Sequence, residues 1–158
     1  MVKWHPSMDI LFSCSYDNTI KVWAEDDDGD DWRCVQTLNE SNNGHTSTVW
    51  ALSFNSTGDN MVSCSDDLTI KIWGADAGDG YSSWEGVIAT GAGDDTIRLF
   101  TENKDDMIDG SMYKLLLKKE KAHSMDVNSV QWSYGEKRLL ASASDDMTIK
   151  IWELACIP

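Results

Sequence analysis

An eleven-residue motif occurs four times in this chain and restricts its architecture more than any other feature. It reads SCSYDNTIKVW at residues 13–23, SCSDDLTIKIW at 63–73, TGAGDDTIRLF at 90–100 and SASDDMTIKIW at 142–152. In each copy a Ser or Thr stands four residues before an Asp, an aromatic ring stands six after it, and a Thr-Ile pair keeps the same register. Repetition of this kind marks one supersecondary unit used several times, with neighbouring units burying each other's faces. The motif itself predicts a β-hairpin. Small residues such as 61–65 form one strand, and Asp66 and Asp67 form a tight polar turn. Residues 69–73 then form an alternating, β-branched strand, with Ile70 and Ile72 on one face and Lys71 on the other.

Each hairpin has flanking strands. Before it come residues 2–4, 49–54 and 127–132, each run ending in an aromatic; after it come 32–38 and 113–117. Four antiparallel strands per unit, with Gly44-His45 or Ala122-His123 opening the next one, resemble the WD40 repeat. The resemblance implies an all-β fold, a WD40 β-propeller, present here as an open arc of about four repeats. The chain is expected to form one repeat region, 1–158, with units near 1–42, 43–84, 85–120 and 121–158. The family's buried hydrogen-bonded set joins the opening His, the strand Ser or Thr, the turn Asp and the strand Trp. Carried over by position, His45, Ser63, Asp67 and Trp73 make one full set, and His123, Ser142, Asp146 and Trp152 another. Two sets are partial: Ser13, Asp17 and Trp23 without a His, and Thr90 and Asp94 with Phe100 in place of Trp.

Spacing exposes a deficit. Trp32 opens an outer strand 31 residues before Ser63, whereas Trp84, in the corresponding place, stands only 6 before Thr90, a shortfall of 25. The turn Asp residues are 50, 27 and 52 apart, against a period of about 40–45 for such repeats. We read this as an internal deletion of one outer and one inner strand; a naturally degenerate repeat is the alternative. The unit around Thr90–Phe100 is therefore expected to lack its innermost strand, and the first unit to open inside its first strand.

Residues between the repeats narrow the resemblance. VKWHPS at 2–7, DWRCV at 31–35, GHTSTVWALSF at 44–54, ATGAGDD at 89–95 and AHSMDVNSVQW at 122–132 are similar to the Cia1/Ciao1 family, the WD40 component of cytosolic iron–sulfur protein assembly. The match corresponds to the C-terminal half of a parent of about seven blades, within the usual range of 4–8. It implies a non-catalytic scaffold of the targeting complex. Its implied partners are a DUF59-type subunit, a HEAT-repeat subunit, a hydrogenase-like cluster carrier and apo iron–sulfur proteins. The rim formed by Tyr16, Thr48, Trp50, Asp66, Asp126 and Asp145 is the candidate partner-binding surface; Trp50 could instead pack between blades.

Other functions fit poorly. A net charge of −14 opposes approach to nucleic acid or an anionic membrane. No apolar run reaches the roughly 20 residues of a membrane span, and residues 1–6 lack the apolar core of a signal peptide. Cys14, Cys34, Cys64 and Cys156 have no CxxC spacing, so cluster ligation is not expected and a reducing cytosolic or nuclear location is. Of the three histidines two belong to the blade sets, leaving His5 alone, which argues against a catalytic triad or zinc site. No catalytic residue, metal or cofactor is expected. The acidic run at 25–31 reads as a solvated loop, and Lys114, Lys118, Lys119 and Lys121 as a charged edge. A WD40 substrate receptor of a ubiquitin ligase, or another generic scaffold, is the alternative. It is weakened because the stretches that begin at Trp23, Trp73, Phe100 and Trp152 do not read as the Trp-Asp-x-Arg box of such receptors and contain no Arg.

Overall fold

The computed structural model describes residues 1–26, 28–29, 31–74, 87–103, 113–133 and 139–154. Two places in the sequence reading, Trp84 and Cys156, lie outside them, as do Asp27 and Asp30 of the acidic run. Among the described residues the chain is built from strands, with one short 3₁₀ turn at Glu40–Asn42. It divides into two compact units, Met1–Tyr81 and Ser82–Pro158.

The first unit holds two antiparallel sheets. Strands β1 (Val2–Trp4), β2 (Leu11–Cys14), β3 (Ile20–Glu25) and β4 (Trp32–Leu38) pair in chain order. β5 (Val49–Phe54), β6 (Asn60–Ser65) and β7 (Ile70–Gly74) make a three-stranded second sheet. Alternation along β3 turns Ile20 and Val22 to one face, where both are buried. There Ile20 and Cys14 pack on Val49, Leu52 and Met61 of the second sheet. The sheets are also tied through the backbone, the Val49 N–H donating to the Ser15 carbonyl at 3.1 Å.

The second unit repeats the plan. β8 (Val87–Gly91), β9 (Ile97–Glu102) and β10 (Tyr113–Lys119) form a sheet in the order β10-β9-β8, with no strand on the β8 side among the described residues. Among the described residues β8 is thus the open edge of this sheet. β11 (Val127–Trp132), β12 (Leu139–Ser144) and β13 (Ile149–Glu153) form the fourth sheet. Ile97 and Leu99 bury against Ala122, Val127 and Leu140, and the Val127 N–H donates to the Ala92 carbonyl at 3.1 Å. β10 runs two residues further than the sequence reading gave it. Lys118 and Lys119 thus stand on the strand, in register with Arg98 and Ile97.

All four hairpins share a backbone device. The residue after the turn Asp has positive φ in each: Asn18 at 68°, Leu68 at 66°, Asp95 at 61° and Met147 at 64°. Asn and Asp tolerate this left-handed conformation, but Leu and Met meet a steric penalty. Leu68 and Met147 are also almost fully exposed.

Candidate functional site

In three of the four turns an Asp carboxylate closes the loop onto the Thr two residues ahead. In the second sheet Asp67 Oδ1 accepts from the Thr69 N–H at 2.9 Å and from Thr69 Oγ1 at 2.6 Å. The first sheet does the same with Asp17 and Thr19, at 3.0 and 2.7 Å, and the fourth with Asp146 and Thr148, at 2.9 and 2.5 Å. The sequence reading saw the recurring Thr and gave it no role. Its fixed distance of two residues from the Asp was the available signal, since Asp side chains commonly bond to backbone two residues ahead.

On the other oxygen of Asp67 a relay runs into the interior. Asp67 Oδ2 lies 2.7 Å from His45 Nδ1, His45 Nε2 lies 2.7 Å from Ser63 Oγ, and Trp73 Nε1 donates to Ser63 Oγ at 2.9 Å. An indole only donates and a carboxylate only accepts, which sets the direction at both ends. In the neutral ring Ser63 therefore donates to Nε2 and Nδ1–H donates to Asp67. His45 and Ser63 are almost wholly buried, so the relay satisfies polar groups that would otherwise be costly. His123, Ser142, Asp146 and Trp152 repeat it at 2.9, 2.7 and 2.8 Å. Burial alone would raise the Asp67 carboxyl, but hydrogen bonds from Thr69, His45 and the Thr46 and Thr69 backbone outweigh it and hold it well below the usual range. Bonds led by that of Thr148 likewise lower Asp146.

The partial sets differ. Trp23 Nε1 donates to Ser13 Oγ at 2.9 Å, while Asp17 stays exposed on its turn. In the third sheet Asp94 turns to Arg98, whose two guanidinium nitrogens take its two carboxylate oxygens. Arg98 occupies the register of Lys21, Lys71 and Lys150, and its planar fork can hold a carboxylate where a Lys would make a point contact. Thr90 and Phe100 join no such relay among the described residues.

The candidate rim falls into two clusters. In the first unit the Tyr16 and Trp50 rings meet edge to face at 5.3 Å. Trp50 Nε1 donates to Asp66 Oδ1 at 2.6 Å, and the Asp66 N–H donates to the Thr48 carbonyl at 3.1 Å. Tyr16 is 76% and Trp50 49% exposed, so Trp50 meets Tyr16 of the neighbouring sheet at the surface rather than in the core. In the second unit the Asp145 N–H donates to the Asp126 carbonyl at 3.1 Å, and Asp145 also receives the Asn128 side-chain amide. Asn128 holds the position of Trp50 in this sheet, so the aromatic pair belongs to the first unit.

His5 was left unassigned by the sequence and is buried. Its Nε2 lies 3.1 Å from the Gly58 carbonyl and its ring packs edge-on against Phe54 at 5.3 Å. Cys14 is buried, Cys64 half-buried and Cys34 exposed. Desolvation raises the thiols of Cys14 and Cys64, making them poor thiolate ligands. Among the described residues no group of three or more His, Cys, Asp or Glu side chains converges to hold a metal ion, and no helix is long and apolar enough to cross a membrane.

Comparison with known proteins gives a consistent picture. The chain matches the family described as WD domain, G-beta repeat, over residues 1–24, 32–74 and 114–153. It is 57% identical to "Protein CIA1" of Arabidopsis thaliana over 163 aligned residues, covering 86% of this chain and 46% of that protein. It is 48% identical to the "Probable cytosolic iron-sulfur protein assembly protein Ciao1" of Drosophila mojavensis, over 44% of this chain and 21% of that one. The corresponding figures for the Dictyostelium discoideum "CIAO1 homolog" are 46% identity, 47% and 22%. The chain thus spans less than half the length of the curated relatives it matches.

Proposed function

The chain belongs to the WD40 repeat family, in its Cia1/Ciao1 branch, and from that premise we propose that it is a non-catalytic protein-binding scaffold of the cytosolic iron–sulfur protein assembly targeting complex. In this role it helps to deliver clusters to cytosolic and nuclear apo-proteins. Its partners are the DUF59-type and HEAT-repeat subunits, the hydrogenase-like cluster carrier and the apo-proteins themselves. The cluster is cargo, held by the carrier and the recipient.

One observation supports this reading above the rest. Tyr16, on the turn between β2 and β3, and Trp50, on β5, lie exposed and packed edge to face, with Trp50 anchored by Asp66. Large aromatic side chains fixed before binding lose little entropy when a partner covers them, and Trp and Tyr are over-represented among interface hot spots. Beneath the second-sheet turn the relay from Asp67 to Trp73 ties the turn that carries Asp66 to the strands.

The test is a retention assay in which the Arabidopsis relative and this chain are immobilised side by side. Each is offered purified DUF59-type and HEAT-repeat proteins. The relative should retain both; this chain should retain them more weakly, because it spans 46% of the relative's length. Trp50→Ala should weaken what remains about tenfold or more, as expected of a hot-spot residue. If the relative retains neither protein and instead recovers a ubiquitin-ligase adaptor from cytosol, the assignment to iron–sulfur assembly fails.

A further inference from the structure

The rim position that Tyr16 holds in the first sheet is taken by Asp66, Gly93 and Asp145 in the other three, and that of Trp50 on β5 by Asn128 on β11. All of these residues are exposed, so solvent access at Tyr16 and Trp50 comes with the register. What changes between the units is the chemistry. The second unit puts Gly93 and Asn128 at the two places, and the Asn128 amide lies on Asp145. The first unit puts two aromatic rings there.

Those rings stand at 80° to one another with centroids 5.3 Å apart, the two walls of a corner. An aromatic face is the negative side of the ring's quadrupole and attracts cations, that of Trp most strongly. Trp50 Nε1 donates to Asp66 Oδ1 at 2.6 Å, and a carboxylate on the indole N–H adds electron density to the ring. The second Asp66 oxygen accepts no hydrogen bond, and no Lys or Arg pairs with Asp66, among the described residues. The surrounding field has the same sign: residues 1–81 contain four Lys or Arg against fourteen Asp or Glu. A positively charged group is thus drawn to this corner and an anionic one repelled.

We infer that the corner formed by Tyr16, Trp50 and Asp66 is a receptor for an arginine side chain presented by a partner protein. The guanidinium lies flat on the Trp50 indole, with Tyr16 as the second wall, and donates to the open Asp66 oxygen. Arginine fits better than lysine for two reasons. Its planar, weakly hydrated group stacks on a ring and still has donors left for a carboxylate, whereas an ammonium holds its water tightly. The inference rests on the scaffold reading above and adds to it the chemistry that a partner must bring to this rim.

A nuclear magnetic resonance titration of the isotope-labelled full chain tests it. The probes are three blocked pentapeptides, each with one central residue between pairs of glycines: arginine, lysine, or citrulline, the neutral isostere of arginine. Arginine should shift the Trp50 indole N–H and the Tyr16 and Asp66 amides saturably, with a Kd on the order of millimolar. Lysine should bind about threefold more weakly, and citrulline about tenfold or more. Trp50→Leu should weaken arginine binding about tenfold, read at the two amides. Asp66→Asn keeps an acceptor for the indole and removes the charge, so it should weaken arginine about threefold or more and leave citrulline unchanged. Asp145→Asn, at the same register in the second unit, should change neither. Dispersed spectra report the folding of each variant, and Asp66→Asn decides the matter should Trp50→Leu not fold. The inference is overturned by citrulline or lysine binding as tightly as arginine, or by no shift up to tens of millimolar peptide. Equal losses in Asp66→Asn and Asp145→Asn also overturn it, since they would show attraction to the overall charge alone. No subunit of the assembly complex enters this titration, so its failure is distinct from failure of the retention assay that tests the scaffold reading.

Discussion

His5 closes over Gly58. The imidazole Nε2 lies 3.1 Å from the Gly58 carbonyl, joining the end of β1 to the β5–β6 turn 53 residues away. Gly58 has φ +86°, and a Cβ there would overlap the imidazole. Gly58→Ala should therefore destabilise the first unit by about 1–3 kcal/mol, combining left-handed strain with the steric conflict. Urea unfolding measures it. In a His5→Ala background the same substitution should cost less, since only the backbone strain remains; an equal cost in both backgrounds would show that the ring contact is irrelevant.

The relay in the second sheet should behave as one object. His45→Ala and Asp67→Ala should each cost about 1–3 kcal/mol, because each leaves a buried partner without its hydrogen bond. The double variant should cost less than the two together, the residues sharing one network. Additive losses in a double-mutant cycle would contradict the geometry.

Acid should act through the turn carboxylates. Asp67 and Asp146 are depressed in the folded chain. The stability they contribute is fully present above the unfolded Asp value of about 3.9 and is lost as pH falls towards their folded values. The urea midpoint of the wild type should thus fall below about pH 4. In Asp67→Asn the decline should be shallower, and the midpoint at neutral pH lower. A wild-type curve flat down to about pH 2 would exclude the linkage.

The strained turns offer gains. Leu68→Asn and Met147→Asn place a residue tolerant of left-handed backbone at 66° and 64°, and each should stabilise by about 0.5–1 kcal/mol. In thermal unfolding of a chain this size that is a rise of about 1–4 °C per substitution. Both side chains are exposed, at 95% and 98%, so no packing is lost to offset the gain.

The turn clasps were open to inspection in the sequence because their partners are near neighbours. Asp67 reaches Thr69 and Asp94 reaches Arg98, two and four residues ahead. Arg98 in a position otherwise held by Lys was the visible sign that the third hairpin would clasp its Asp differently. The role of Thr19, Thr69 and Thr148 is equally local, each lying two residues after the Asp it bonds.

What the sequence determined by itself was the hairpin and its repetition. The alternation of Ile, Lys, Ile and Trp, the Asp that starts each turn and the deficit before Thr90 are all properties of short stretches of chain. A period of two on a pleated strand fixes which side chains share a face. Only the tertiary structure decided which of those faces are covered. Ile20 and Ile149 belong to the same pattern, yet one is buried and the other open to solvent. Trp50 and Asn128 hold the same place, yet only Trp50 meets an aromatic ring on the neighbouring turn. Burial depends on which sheet lies opposite, and that neighbour lies tens of residues away in the chain, beyond the reach of any local pattern.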